Sequence, residues 1–133
     1  MPGAYTSVCS AKHLPGYVNA HEAYKAKGVN HIICIAANDP FVMSEWGKSQ
    51  NVNNKIIITS DKYKLKGCNI VLESIFEDIN SKKELFIEID NIVDEDCILT
   101  TNTSSIPIAK ICPSPDRSEK FVGIHFFYPI AFK

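Results

Sequence analysis

Five short runs of apolar and β-branched residues punctuate the chain: "NHIICIAA" (30–37), "KIIITS" (55–60), "NIVLESIF" (69–76), "CILTTN" (97–102) and "KFVGIHFF" (120–127). They are short for helices and lack the strict alternation of half-exposed strands, so they predict strands buried on both faces. Between them the period changes. In "EDINSKKELFIEIDNIV" (77–93), Ile79, Leu85, Phe86, Ile89, Ile92 and Val93 share one helical face, with acids early and lysines a turn later. Alternating strand and helix predicts a three-layer α/β sandwich with a mainly parallel sheet, whose strands' carboxyl ends form the site. The polar stretch "GKSQNVNNK" (47–55) is the expected seam between residues 1–50 and 51–133.

Composition narrows the partners. With 133 residues, 45% apolar and 22% charged, and a formal charge of -1, the chain has no electrostatic pull toward nucleic acid or an anionic membrane. Its longest apolar stretches fall far short of the roughly 20 residues that span a bilayer. Cys9, Cys34, Cys68, Cys97 and Cys112 are scattered and form no CxxC pair, which fits free thiols in a reducing compartment better than disulfides or a zinc site. Arg117 is the single arginine.

Candidate chemistry sits at three places, each with a plainer alternative. Cys9, in "PGAYTSVCSAKHLPGYV" (2–18), stands where a turn hands over to a helix, and a helix start stabilises a thiolate. Thr6 is placed to hydrogen-bond the sulfur or an attacking peroxide, with His13 a turn later; the same cysteine also fits a small buried hydrophobe. Glu77 follows a strand's carboxyl end, where polar residues line a ligand crevice, although Glu77 and Asp78 equally suit a helix start. Asn102-Thr103-Ser104-Ser105 holds more capping residues than one cap needs. His125, ending the next strand, reaches the same sheet edge or is a hydrogen-bonded core residue.

Residues 2–50 resemble the atypical peroxiredoxins of the redoxin family, through "PGAYTSVCSAKHLPGYV" and "YKAKGVNHIICIAANDPFVMSEWGKS". The resemblance implies a thiol peroxidase in which Cys9 is the peroxidatic cysteine, supported by Pro2 and Thr6 and regenerated by a thioredoxin-type reductant. Cys34 matches a non-catalytic cysteine. The family's Thr-Pro-x-Cys reads Thr6-Ser7-Val8-Cys9, and its distal arginine falls outside the matched segment, leaving Arg117 as the one arginine for that role.

From about residue 52 to 133 the chain resembles the nucleotide-binding domain of the L-3-hydroxyacyl-CoA dehydrogenases. The residues are "KIIITSDKYKLKGCNIVLESIFEDINSKKELFIEID", "DCILTTNTSSIPI" and "RSEKFVGIHFFYP". This implies a Rossmann-like fold, completed by the thioredoxin-like strand and helix of the first part, with NAD as cofactor and an acyl-CoA substrate of fatty-acid β-oxidation. His125 matches the base that takes the proton of the 3-hydroxyl, Ser104 the serine that bonds the reacting oxygen and borders the nicotinamide, and Glu77 and Lys82 match cofactor contacts. Tyr128 stands where that family has asparagine.

No GxGxxG turn is present, and the family's orienting carboxylate and helical second domain would lie past residue 133, so weak cofactor binding and impaired turnover are expected. The chain reads as a chimera, with thiol peroxidase or a non-catalytic α/β fragment as alternatives. Both families occur in mitochondria, peroxisomes and cytosol, so the resemblance implies an intracellular reducing compartment without choosing among them. Were the parts to share a sheet, residues 30–37 would pair with 69–75 and put Ala36 to Pro40 at the phosphate turn. There Asp39 would repel a pyrophosphate and Pro40 would offer no N–H.

Overall fold

A computed structural model describes residues 1–125. Two compact units divide after Lys64, and all strand pairs are parallel. In the first unit, a π-helical turn, Cys9–His13, runs into α1 (Leu14–Asn19), followed by α2 (His21–Ala26), β1 (Ile33–Ile35), α3 (Pro40–Ser49) and β2 (Ile57–Thr59). The π turn has a local cause: Pro15 offers no N–H to the preceding turn, and the Leu14 N–H reaches Cys9 O instead. Leu14, Met43 and Trp46 pack with Cys9, Cys34 and Ala36 in this unit's core. The fully buried Trp46 places its indole N–H on Ser10 Oγ at 2.9 Å.

In the second unit, β3 (Ile70–Glu73), β4 (Ile98–Thr101) and β5 (Phe121–Gly123) form a sheet in that order, with Glu73 opposite Thr101 and Thr101 opposite Gly123. One helix, α4 (Ile79–Asp90), connects β3 to β4. Phe86 meets Phe121 edge to face at 4.7 Å, and Leu99, Ile89 and Val93 are buried. Arg117, also buried, is a clamp in this unit: Nε donates to Asp90 Oδ1 at 2.6 Å, and Nη1 to the carbonyls of Asp94, Glu95 and Cys97. It thus ties the end of α4 to the start of β4.

All five expected strands and the helix from residue 79 are present, giving an α/β fold with parallel sheets. The strands are not buried on both faces as expected: Ile57, Ile70 and Ile98, which open β2, β3 and β4, and Val122 of β5 are exposed. The expected pairing of 30–37 with 69–75 is not made: β1 pairs with β2, Ile33 opposite Ile57, in a sheet of two. The reason lies in β1's backbone, whose alternate groups face β2. On its opposite edge Ile35 O accepts the Met1 ammonium at 2.8 Å instead of a strand. The expected Tyr128 departure lies outside the described residues.

Candidate functional site

The polar groups of the second unit gather past the carboxyl ends of β3, β4 and β5. Glu73 is the last residue of β3 and is buried. Oε1 accepts from Lys82 Nζ at 2.7 Å and from Ile75 N at 2.6 Å, while Oε2 accepts from Thr101 Oγ1 at 2.6 Å. A buried carboxylate is tolerated only when paired and hydrogen-bonded, and here both oxygens are engaged. Lys82 reaches it because residues 82, 86, 89 and 93 share the buried stripe of α4 and the segment that follows. Its ammonium also lies 3.5 Å from Glu77 Oε2.

Glu77, one residue before the Asp78 cap of α4, turns toward the loop after β4. On Oε1 it gathers the Thr103 hydroxyl, the Ser104 and Ser105 N–H groups and the Ser105 hydroxyl, the last three at 3.2 Å. Partial burial would raise its pKa, but the Thr103 hydroxyl, the Ser105 amide, the Lys82 charge and the Ser104 amide outweigh that and lower it to about 2. Glu77 is therefore an anion that staples two loops together. Ser104 is exposed, and its hydroxyl has no hydrogen-bond partner among the described residues.

His125 lies two residues beyond β5 and is exposed, not part of a buried core. Its Nδ1 stands 3.2 Å from Asn102 O and 3.1 Å from Asn102 Oδ1. The loops bearing Glu77, Ser104 and His125 thus share one sheet edge, the place where parallel α/β sheets bind ligands. Reasoning from sequence placed Asn102 and Thr103 in a candidate run without giving them partners, and it missed Thr101 and the pairing of Glu73 with Lys82. The signal was available: Glu73 ends a strand, Lys82 interrupts an apolar helical stripe, and Thr101 is the register partner of Glu73.

In the first unit Cys9 is 2% exposed and sits in the π turn. Thr6 donates its hydroxyl to Gly3 O at 2.9 Å, so this bond goes to the backbone and not to the sulfur. Burial lowers the His13 pKa, aided by the N-terminal charge, which favours a neutral ring. Burial pushes the Cys34 thiol up to about 11, leaving it protonated at neutral pH. The β1–α3 turn spends its polar groups internally: Asn38 Oδ1 accepts from Ala4 N, and Asp39 Oδ1 from Phe41 N, both at 2.8 Å.

Comparison with known proteins places these features. The model of the 3-hydroxyacyl-CoA dehydrogenase NAD binding domain matches residues 23–132. The dehydrogenase part of multifunctional enzyme 1 from C. elegans is 29% identical, with a TM-score of 0.68 over 90% of this chain and 30% of that one. FadB2 of M. tuberculosis shares the fold at 23% identity and TM-score 0.67, over 91% of this chain and 48% of that one. Peroxiredoxin-2B of Arabidopsis thaliana is 48% identical over 61 residues, which are 46% of this chain and 38% of that protein. The chain thus spans less than half the length of each of these proteins. With 23–132 matched and the parallel-strand edge formed, the chain belongs to the family of 3-hydroxyacyl-CoA dehydrogenase NAD-binding domains.

Proposed function

We propose that the second unit carries the nicotinamide-side edge of a 3-hydroxyacyl-CoA dehydrogenase, acting on the 3-hydroxyl of an acyl-CoA. The observation that carries this reading is the gathering of Glu77, Ser104 and His125 past the ends of three parallel strands. The His125 imidazole takes the hydroxyl proton as the C3–H electron pair departs as hydride, and the Ser104 hydroxyl donates to the oxygen becoming a carbonyl. NAD, when bound, accepts that hydride.

The residues fit one end of this cofactor. Glu77 keeps Oε2, 3.5 Å from the Lys82 ammonium, at an exposed edge suited to sugar hydroxyls. Lys82 itself is 1% exposed and acts there through Glu77. The sequence holds no GxGxxG turn to cradle the pyrophosphate. Binding is therefore expected to be weak. Titrating NADH fluorescence with the chain tests this: saturable binding that weakens in Glu77→Ala supports the reading, and no binding at millimolar NADH sinks it.

A second reading, thiol peroxidase at Cys9 with a thioredoxin-type reductant, is supported by the 48% identity to a peroxiredoxin. Its burial and the backbone bond of Thr6 predict slow reaction. Hydrogen peroxide with a sulfenic-acid probe, with Cys9→Ser as control, decides it; equal labelling of all cysteines would exclude special activation.

A further inference from the structure

In a neutral imidazole one ring nitrogen carries the proton and the other the lone pair, and the hydrogen bond made by one settles the role of the other. Nδ1 of His125 faces two oxygens of a single residue, Asn102 O and Asn102 Oδ1, at 3.2 and 3.1 Å. Both accept and neither donates, so the proton belongs on Nδ1 and the basic lone pair on Nε2. Asn102 is itself held. Its N–H donates to Glu73 O at 2.9 Å, and its Nδ2 donates to Ser74 Oγ at 3.2 Å, which sets the amide oxygen toward the ring. Ile124 N donates to Thr101 O at 2.8 Å, so the β4–β5 ladder carries the histidine to the same height as Asn102.

We propose that Asn102 is a positioning residue for His125: it fixes the ring's orientation and keeps the proton on Nδ1, so that Nε2 is the proton acceptor. The role of Nε2 in dehydrogenation rests on the function proposed above; the tautomer does not. A neutral amide here orients the base without adding a charge.

Long-range proton–nitrogen NMR of the whole chain, above the pH at which the ring titrates, reads the tautomer directly. The expected wild-type result is Nδ1–H with a lone pair on Nε2. Asn102→Ala keeps the backbone oxygen and loses Oδ1, so the Nδ1–H to Nε2–H ratio should fall roughly fivefold; Asn102→Asp should restore it. Ser74→Ala frees the amide while leaving both oxygens, and should move the ratio the same way by less. A wild-type Nε2–H ring overturns the inference, as does an unchanged ratio in Asn102→Ala. Should that variant not fold, an unchanged ratio in Ser74→Ala overturns it. NADH titration of the same samples separates the claims: an Nδ1–H ring in a chain that does not bind NADH sinks the cofactor reading alone.

Discussion

The connections β1–α3 and β3–α4 both run from a parallel strand into a helix capped by aspartate, and they use their polar residues differently. Before α3, Asn38 and Asp39 are consumed by Ala4 N and Phe41 N, and Pro40 follows at once. Before α4, Asp78 caps by accepting from Ser81 N, and Glu77 is left to hold the loop after β4. Lys82, on the buried side of α4, then sits near both Glu73 and Glu77. One acid satisfies a helix start; a second acid beside it, with a cation one turn later, makes an edge that can meet a ligand.

The largest test of that contrast is Lys82→Met. It leaves the Glu73 carboxylate, whose side chain is 0% exposed, without its charge partner, and should cost about 3–5 kcal/mol in urea unfolding. The pair Lys48–Glu45 on α3 is exposed, so Lys48→Met should change stability by roughly 0–1 kcal/mol. Similar losses in the two variants would erase the distinction between the connections.

Next is Arg117→Ala, which removes a carboxylate bond and three carbonyl bonds and should cost about 3 kcal/mol. Arg117→Lys should recover little, because an ammonium cannot reproduce the guanidinium fork. Full recovery by lysine would show that only charge matters at this clamp.

These two residues mark what could be read from the sequence. Strands, their parallel direction and α4 were legible because apolar runs and a 3.6-residue stripe are local signals. The burial of Lys82 and Arg117 was not, because charged residues read as surface, and it depends on partners 9 and 27 residues away. For His125 the sequence left two positions open, the sheet edge or the core; β5 ends at Gly123 and the ring lies exposed beside Asn102, at the edge. The separate pairing of β1 was hidden too, since strand composition does not reveal that the Met1 ammonium takes the Ile35 carbonyl.

Smaller effects compare the two caps directly. Asp39→Ala and Asp78→Ala each lose one side-chain bond to a helix-start N–H, and each should cost about 1 kcal/mol. A cost well above this for Asp39→Ala alone would mean that the β1–α3 turn has a second role beyond capping.

The smallest effect, and the one that isolates Glu77, is pH-dependent. Its pKa is lowered from 4.5 to about 2 in the folded chain, so its ionised contacts favour folding above about pH 4.5, and that contribution fades as pH falls toward 2. Glu77→Gln keeps an oxygen for the Thr103–Ser105 donors but loses the charge facing Lys82 and the amides. The variant should unfold at lower urea than wild type at pH 6, by a modest margin because the group is exposed and screened. The two midpoints should converge as pH is lowered through about 2, since Glu77 becomes neutral like glutamine only below its folded pKa. A gap constant across that range would mean that Glu77 holds the Ser104 loop by shape alone, and the electrostatic difference between the two connections would rest on Lys82 and Glu73.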